Sequence, residues 1–488
     1  MPRKSSHPEL KIGWAQADIT PPKPCLVAGQ FYARISEEVL DPVTGTALAL
    51  QSGADHAVLV SCDLVGIPDE LRDATRRLLA DRPDGLDPMK VFFNATHTHT
   101  GPDVRIPGWS AGTTAVTIGV ELEAMGGAEY QPFAAERIAD AVRRAWAARA
   151  PGALAFGQGC AVVGRNRRWV DTSGKATMYG KTNTPLFSHI EGYEDHSLGL
   201  VATIDPDSKL TGMVVNVPCP SQTSEHLFAV SADYWHETRQ ELRRRFGHGL
   251  FILPQCSAAG DQSPHLLYDK SAAERMLQLK GRSVRQEIGQ RIADAVEEIL
   301  PFVATTAECA PRFAHHVETV DLPLNAITEA DVRFALAEAD KDRLRYEDEM
   351  RKLQADPALR AQPRWYKAPT NFFRHMKWLQ AVAERFEQQK GEPTTPVELH
   401  VIRLGDLAVA SNPFEYYLDF GVFIKARSPA VQTLLVQLAG GGSYCPSRRS
   451  LAGGGYGSLP ASNPVGPEGG RKLAERTIEV LLSLWPPA

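Results

Sequence analysis

The 488-residue sequence has little of what marks a membrane protein, a nucleic-acid-binding protein or a secreted protein. No stretch approaches the roughly 20 continuous apolar residues that a membrane-spanning helix needs, so no membrane span is expected. Lys and Arg number 53 against 58 Asp and Glu, and this net charge of −5 argues against a nucleic-acid partner. The basic residues at the N-terminus precede no apolar run, so we expect no secretory signal.

The cysteine and glycine patterns exclude two kinds of site. The seven cysteines include no Cys-x-x-Cys pair, which argues against a thiolate zinc site. Most of them lie in apolar runs, as buried thiols do, and we expect a protein of the reducing cytoplasm. The glycine runs at 440–442 and 453–455 are not followed by Gly-Lys-Ser or Gly-Lys-Thr, so they do not match a phosphate-binding loop.

Apolar runs of strand length alternate with helical patterns along most of the chain. The runs are rich in Val, Ile, Leu and Phe and show little alternation, which is typical of strands buried on both faces. The sequence therefore predicts an α/β fold in which a mixed sheet is layered with helices. The predicted strands are 56–62, 90–95, 210–217, 250–254, 398–404, 407–410 and 431–438, and the predicted helices are 69–80, 133–148, 233–246, 272–300 and 469–485.

The composition shifts to Ala, Glu, Arg, Lys and Gln between residues 328 and 391, with apolar residues at helical spacing. This predicts a helical hairpin inserted between an N-terminal part, 1–327, and a C-terminal part, 392–488, of one catalytic domain. Pro357, Pro363 and Pro369 are expected to break the hairpin in its middle. The pattern allows a solvated cap, a lid over a site or an oligomer contact.

The sharpest chemical signal is the segment THTHTGP at 96–102, directly after the predicted strand 90–95. Alternate residues of an extended chain point the same way, so His97 and His99 are expected to project to one side. Binding crevices of open α/β sheets lie at such strand ends, and neutral imidazole suits zinc. The pair is either half of a zinc site or two polar histidines that satisfy a turn.

Three further predicted strands end in polar residues flanked by small ones. Ser263, in Gly-Asp-Gln-Ser-Pro, is a nucleophile or caps a turn. Glu415 is a metal ligand, a general base or a turn residue. Tyr444, with Tyr456 beyond it, is catalytic or a half-buried ring. Four such ends in one sheet could converge on one pocket, as they do in an enzyme site.

Taken in order, three of these motifs resemble those of the neutral/alkaline ceramidase family. They are THTHTGP at 96–102, GDQSP at 260–264 and PFE at 413–415, and the opening IGWAQADITPP at 12–22 is similar to the family's start. The similarity covers about residues 10–310 and 396–486. It implies a zinc-dependent amidase, since the family hydrolyses the amide of ceramide.

The resemblance also implies roles for individual residues. His97, Glu415 and Tyr444 would be zinc ligands. His99 would lie near the zinc-bound water and shuttle a proton. Arg167 falls near the family's substrate-contacting arginine and would contact substrate. Tyr456 resembles a second active-site tyrosine. Ser263 lies where the family has a serine once proposed as nucleophile.

One position departs from the family. Its second histidine ligand follows a strand like 213–217, and Pro220 stands there in this chain. A proline cannot bind a metal, so we expect another histidine to replace it, His236 before His226 and His196. We also expect neither the signal nor the C-terminal β-sandwich domain of secreted members. We therefore expect a distant cytoplasmic branch that cleaves an amide or related bond of a small substrate.

Two other functions stay open. Arg165, Arg167 and Arg168 lie near Trp169, and arginines beside an aromatic ring could bind a uronate carboxylate and stack a sugar ring, or form a basic surface turn. This allows a carbohydrate-active lyase or hydrolase that acts on a uronate-containing oligosaccharide at the same metal site. Pro220 is the main support for a third reading, a metal-binding or scaffold protein on a decayed hydrolase fold. A homo-oligomer is allowed by all three.

Overall fold

The computed structural model describes residues 7–80, 85–106 and 117–486. At its centre are three β-sheets, each covered by helices on its outer face. Each of these sheets contains both parallel and antiparallel strand pairs. The predicted α/β class with mixed sheets and helical layers is thus confirmed, although the strands form several sheets rather than one. The basic residues 1–6 fall outside the described part of the chain.

Helices and strands are both distributed along the whole of the described chain. The helices are α1 (Asp69–Ala80), α2 (Gly127–Ala147), α3 (Tyr234–Phe246), α4 (Lys270–Lys280), α5 (Val284–Val303), α6 (Glu329–Ala355), α7 (Lys367–Gly391), α8 (Leu418–Arg427), α9 (Arg448–Gly453) and α10 (Pro467–Leu484). The first strands are β1 (Leu10–Asp18), β2 (Glu38–Val39), β3 (Thr44–Ser52), β4 (Asp55–Cys62), β5 (Val91–Ala95), β6 (Ala150–Pro151), β7 (Ala153–Cys160), β8 (Arg165–Asn166), β9 (Arg168–Asp171), β10 (Ala176–Met178) and β11 (Phe187–Ile190). The remaining strands are β12 (Ser197–Ile204), β13 (Leu210–Val217), β14 (Ala229–Val230), β15 (Phe251–Cys256), β16 (Gln262–Ser263), β17 (Phe313–Pro323), β18 (Thr394–Leu404), β19 (Leu407–Ser411), β20 (Glu415–Tyr416), β21 (Gln432–Val436) and β22 (Tyr444–Cys445).

The first sheet has the order β5-β4-β3-β1-β6. Its central pair, β1 and β3, is antiparallel, with Leu10 opposite Ser52. Large and small residues alternate along β3, so that Leu48 faces the centre of the molecule and Ala47 faces α2. Small residues on the outer face let α2 pack closely: a Cβ on Gly13 would lie 2.0 Å from a main-chain oxygen of that helix.

The second sheet has the order β15-β13-β12-β7, and the third has the order β17-β18-β19-β21. The inner faces of all three sheets share one core, to which Leu59 of β4, Val214 of β13 and Val409 of β19 belong. The outer faces are covered by α1 and α2, by α3 and α5, and by α8 and α10, respectively. Strands such as β4, β5, β13 and β19 are therefore buried on both sides, which explains their nearly continuous apolar sequences, whereas β7 and β17 are partly exposed.

One arrangement occurs in all three sheets: a strand, a helix and a second strand parallel to the first. β4 and β5 flank α1, β13 and β15 flank α3, and β19 and β21 flank α8. The helix of such a unit covers the sheet, and the loops beyond the carboxyl ends of the strands are left to form a site. The sequence motifs at 96–102, 260–264, 413–415 and 440–442 all lie beyond such ends.

Most predicted elements are confirmed to within a few residues, and two are corrected. The helix predicted over 69–80 and the strand predicted over 210–217 coincide with α1 and β13. The helix predicted over 272–300 is two helices, because Gly281 takes a left-handed conformation, with φ of 61°, and ends α4. Pro369 does not break the hairpin, since it lies in the first turn of α7, where no helical hydrogen bond is lost.

The two long helices α6 and α7 form the predicted hairpin between residues 328 and 391. Trp378 of α7 packs in an apolar cluster with Ala461 of the main body. The Thr370 hydroxyl accepts a hydrogen bond from the main-chain nitrogen of Ala33 at 2.9 Å. The hairpin thus lies against the loop that contains residues 28–36, while the division into 1–327, 328–391 and 392–488 stays a prediction. None of the helices in the described ranges is long and apolar enough to cross a membrane.

Candidate functional site

A cavity of about 140 Å³ lies beyond the carboxyl ends of β4, β5, β19 and β21. It contains polar side chains from motifs that are far apart in the sequence. Five residues that the sequence analysis selected line it: His97, His99, Glu415, Tyr444 and Tyr456. The cavity therefore brings together the ends of two different sheets.

The turn after β5 directs both imidazoles into this cavity. His97 has a φ of 60°, which is uncommon for a residue other than glycine. Such a conformation persists only where the surroundings hold it, and it is frequent at functional sites. Here the main-chain nitrogen of Thr98 donates to the oxygen of Leu64 at 3.2 Å. The two rings approach because of this turn, and not through the simple strand alternation that the sequence analysis assumed.

The hydrogen-bond partners of the two imidazoles fix their tautomers. His97 Nδ1 lies 2.5 Å from the carbonyl oxygen of Val65, and His99 Nδ1 lies 3.1 Å from Glu225 Oε2. In a neutral ring at either position, Nδ1 therefore carries the hydrogen and Nε2 presents a lone pair. His97 Nε2 lies 3.3 Å from His99 Nε2 and 3.3 Å from Glu415 Oε2. His97 Nε2 thus faces one imidazole nitrogen and one carboxylate oxygen, and a cation bound between His97 and Glu415 would stabilise their approach.

Glu415 and Tyr444 are directly paired in the short parallel ladder of β20 and β22. Arg167, which is 1% exposed, lies behind them. Its Nη2 donates to the Gly260 oxygen at 2.8 Å, to the Tyr444 hydroxyl at 3.1 Å and to Glu415 Oε2 at 3.4 Å. Although burial raises the pKa of Glu415, the neighbouring His97 and then Arg167 lower it to about 2. The carboxylate is therefore charged at neutral pH.

A second polar network holds the other side of His99. Gln222 Nε2 donates to His99 Nε2 at 2.8 Å, and its oxygen accepts from the Tyr179 hydroxyl at 3.0 Å. Glu225 lies between His99 and His265, 3.1 Å from a ring nitrogen of each. Burial lowers the pKa of His99 despite the opposing effect of Glu225. The ring is therefore neutral at neutral pH and its Nε2 can accept a proton.

The donor set at the base of the cavity fits zinc by its chemistry. Imidazole nitrogen and carboxylate oxygen are ligands that zinc prefers, and His97 Nε2 with Glu415 Oε2 forms such a pair. No three His, Cys, Asp or Glu side chains in the described ranges are arranged to hold a metal ion by themselves. A metal shell here would thus need the Tyr444 hydroxyl. Three protein donors with an open fourth position are common in catalytic zinc sites.

The histidines expected to replace the missing ligand lie away from this cavity. His236 is in the first turn of α3, on the outer side of the second sheet, where its Nδ1 is 3.9 Å from Asp41 Oδ1. His226 is exposed to solvent, and His196 Nε2 pairs with Glu194 at 3.1 Å. None of the three lines the cavity, so we leave them out of the candidate site.

Ser263 is fully buried and does not line the cavity. Its Oγ accepts a hydrogen bond from the main-chain nitrogen of His265 at 3.0 Å and lies 3.3 Å from the Tyr179 hydroxyl oxygen. No imidazole ring lies within hydrogen-bond distance of this oxygen in the described ranges. These contacts are those of a residue that closes a turn.

The arginines proposed for uronate binding are used by the fold. Arg168 is fully buried and pairs with Glu191 through two nitrogens, at 2.6 and 2.9 Å. Trp169 Nε1 donates to a main-chain oxygen at 2.7 Å, and Arg165 pairs with Glu194 at 3.2 Å. Neither these arginines nor the indole lines the cavity. They are therefore not placed to bind a sugar acid at the histidines.

Sequence reasoning missed Gln222, Glu225, Arg105 and Phe31, which border the site or line the cavity. A signal existed for two of them. Gln222 and Glu225 follow the predicted strand 210–217, so they are polar residues at a strand end like those already selected. Arg105 lies three residues after the THTHTGP motif. Phe31 belongs to a loop with no distinguishing pattern.

Comparison with known proteins gives the fold a name. No protein-family model and no curated protein matches the chain. The solved structure of neutral ceramidase from Pseudomonas aeruginosa matches with a TM-score of 0.67 at 17% identity, over 98% of this chain and 74% of that chain. A ceramidase complexed with C2 matches with a TM-score of 0.67 at 16% identity, over 98% and 75%. The chain has the fold of neutral ceramidase.

The neutral ceramidase fold agrees with the resemblance that the sequence motifs indicate. Two of these motifs, THTHTGP and PFE, meet at the cavity, and the third, GDQSP, supplies the Gly260 oxygen that holds Arg167. At 17% identity the likeness extends to the fold. The chemistry must therefore be argued from the side chains of this chain.

Proposed function

We propose that this protein is a zinc-dependent hydrolase that cleaves an amide or related bond of a small substrate. The observation that carries the proposal is the position of His97 Nε2 in the wall of one cavity, 3.3 Å from His99 Nε2 and 3.3 Å from Glu415 Oε2. The ceramidase-like fold supports it, because a ceramidase hydrolyses an amide bond.

The proposed metal ligands are His97 Nε2, Glu415 Oε2 and the Tyr444 hydroxyl. Zinc bound there would polarise the scissile carbonyl and lower the pKa of water. Arg167 is a positioning residue, since it touches both Glu415 and Tyr444 and does not line the cavity. With three protein ligands, no histidine is needed in place of Pro220.

His99 is the proposed proton-transfer group. Its neutral Nε2 takes a proton from the attacking water and passes it to the leaving nitrogen, so that an amide and water become a carboxylic acid and an amine. Glu225 at Nδ1 fixes the ring and stabilises its charged form. Tyr456 lines the cavity and is the candidate donor to the developing oxyanion. A positioned acid–base group contributes about 10²–10⁴-fold to the rate.

Zinc titration of the protein tests this proposal. After treatment with a chelator, we expect the wild type to bind one equivalent of zinc, measured by competition with a chromophoric chelator. His97→Ala and Glu415→Ala should each bind zinc at least tenfold more weakly, because each removes a ligand. His236→Ala is the matched control, since that imidazole lies beside Asp41 and outside the cavity.

Activity provides the second half of the test. With zinc present, His99→Ala should lower kcat on short N-acyl p-nitroanilides by about 10²–10⁴-fold, with an unchanged circular dichroism spectrum. Far less than one equivalent of any transition metal in the wild type would favour the metal-free scaffold reading instead. Unchanged zinc affinity in His97→Ala would mean that the metal site lies elsewhere.

A further inference from the structure

Two arginines pair with one carboxylate beside the cavity, and a third arginine lies near them. Arg105 lines the cavity, and Asp103 accepts hydrogen bonds from its Nε at 2.8 Å and its Nη2 at 2.5 Å. Arg374, from helix α7 of the hairpin, reaches the same carboxylate at 3.4 Å. Arg34 donates to main-chain oxygens, including that of His99 at 2.6 Å. All four side chains of this arginine cluster are less than a tenth exposed.

The arginine cluster has fewer ion-pair partners than positive charges, although Arg34 also interacts with the charge of Glu225. Within the described ranges, Asp103 is the one carboxylate that forms an ion pair with any of the three arginines. The crowding is visible at Arg374, where burial and then Arg105 lower the pKa to about 9 and Nε has no hydrogen-bond partner. A buried cation without a counter-charge is costly, so an anion bound beside the cluster would stabilise it.

The rest of the cavity is suited to a small molecule with an amide. Phe31 and Tyr456 form an aromatic side, and Trp378 of the hairpin packs on both, with ring centroids 5.4 and 5.8 Å away. The hairpin thus supports this side through Trp378 and the arginine cluster through Arg374. The cavity then has a cationic side, an aromatic side and a floor at His97 where the proposed metal ligands lie.

We propose that Arg105 forms an anion subsite that binds the carboxylate of a small N-acylated amino acid. A guanidinium matches a carboxylate in a bidentate manner, and Asp103 fixes the orientation of this guanidinium. The subsite would select an anionic amide over a neutral one. The inference rests on the proposed function, because it places the scissile amide beside His97 in the same cavity.

Two small amides that differ only in the anionic group test the subsite. N-acetylglycine carries a carboxylate, and N-acetylethanolamine has a hydroxymethyl group in its place. We expect the zinc-loaded wild type to bind N-acetylglycine at least tenfold more tightly, measured by calorimetry, and to hydrolyse it with an at least tenfold higher kcat/KM. Equal affinity for the two amides would overturn the subsite. Selective binding of N-acetylglycine without hydrolysis of either amide would support the subsite and refute the hydrolase.

Substitutions of Arg105 locate the selectivity. Arg105→Met should weaken N-acetylglycine binding at least tenfold and leave N-acetylethanolamine binding within twofold. Arg105→Lys keeps the charge without the forked geometry and should lie between the wild type and Arg105→Met. Equal weakening of both amides by Arg105→Met would assign Arg105 a structural role and overturn the proposal. If Arg105→Met fails to fold, the wild-type comparison and Arg105→Lys still decide.

Discussion

Replacing Gly260 with alanine should displace the strand that carries Glu415. A Cβ at Gly260 would lie 2.3 Å from the main-chain oxygen of Glu415 and 2.7 Å from the Tyr417 ring, where ordinary contact begins at 3.4 Å. The shortfall at the oxygen is 3.4 − 2.3, or about 1 Å, and it involves backbone on both sides. The Gly260 nitrogen also donates to the Tyr416 oxygen at 2.9 Å, so the two segments cannot separate freely.

The size of the expected losses in stability and in rate follows from that displacement. Overpacking of this kind costs about 1–3 kcal/mol of the free energy of unfolding. A shift of about 1 Å in a catalytic group can lower the rate about 10²-fold. We therefore expect Gly260→Ala to lower urea stability by about 1–3 kcal/mol, and zinc affinity and kcat/KM by about 10²-fold each.

Gly249→Ala is the matched control, because nothing lies within 4 Å of a Cβ at that position and its φ is not in the left-handed region. Urea unfolding followed by tryptophan fluorescence, together with zinc titration, gives both quantities for the two variants. If Gly260→Ala equals the wild type in stability and in zinc affinity, the close approach to Glu415 does not position the site.

Two buried ion pairs give further predictions. Asp63 accepts two hydrogen bonds from Arg239, both at 2.9 Å. Because Asp63→Asn leaves that guanidinium charged and buried, it should lower the free energy of unfolding in urea by about 3–5 kcal/mol. A loss below about 1 kcal/mol would contradict the importance of the pair. Burial opposes the charge of Glu398, yet His400 and Arg76 hold its pKa well below the ordinary 4.5, so this carboxylate stabilises the fold above pH 4.5 and less as the pH falls. Glu398→Gln should therefore flatten the stability profile below pH 4.5, and parallel profiles for wild type and variant would refute that assignment.

The sequence could predict the elements because their patterns are local. Strand 210–217 is a continuous apolar run between polar turns, and it coincides with β13. The strand Thr44–Ser52 escaped prediction because its sequence holds small residues, Gly45, Ala47 and Ala49, at alternate positions, which is a weak strand signal. These small residues are there because they let α2 pack closely on the sheet. The break at Gly281 needed a left-handed glycine that the helical pattern alone does not reveal.

The candidate site was predictable where its residues share one local feature, a polar side chain directly after a strand. His97 and Glu415 each follow a strand, and the structure brings them to 3.3 Å, although their roles as ligands stay a proposal. His236 was expected to replace the missing ligand because it lies in the first turn of the helix that follows Pro220 in the sequence. The fold instead places Gln222 beside His99. Which polar residue lies beside His99 depends on the backbone course of the loops. That course is determined by tertiary packing, which the local sequence pattern does not reveal.

The residues around the cavity are held by two different parts of the fold. The proposed metal ligands are held by the sheets, and part of the proposed substrate-selective side is held by the hairpin. The proposed ligands His97, Glu415 and Tyr444 lie on short segments fixed by the sheets and by Arg167, so they are held rigidly, as a proposed metal shell requires. Arg374 and Trp378 come from the hairpin, which packs through side chains on loops that include Phe31 and Ala461. We therefore expect a change in the hairpin to alter which small molecule binds while the base of the cavity stays in place, so the proposed substrate class rests on the arginine cluster and not on the fold.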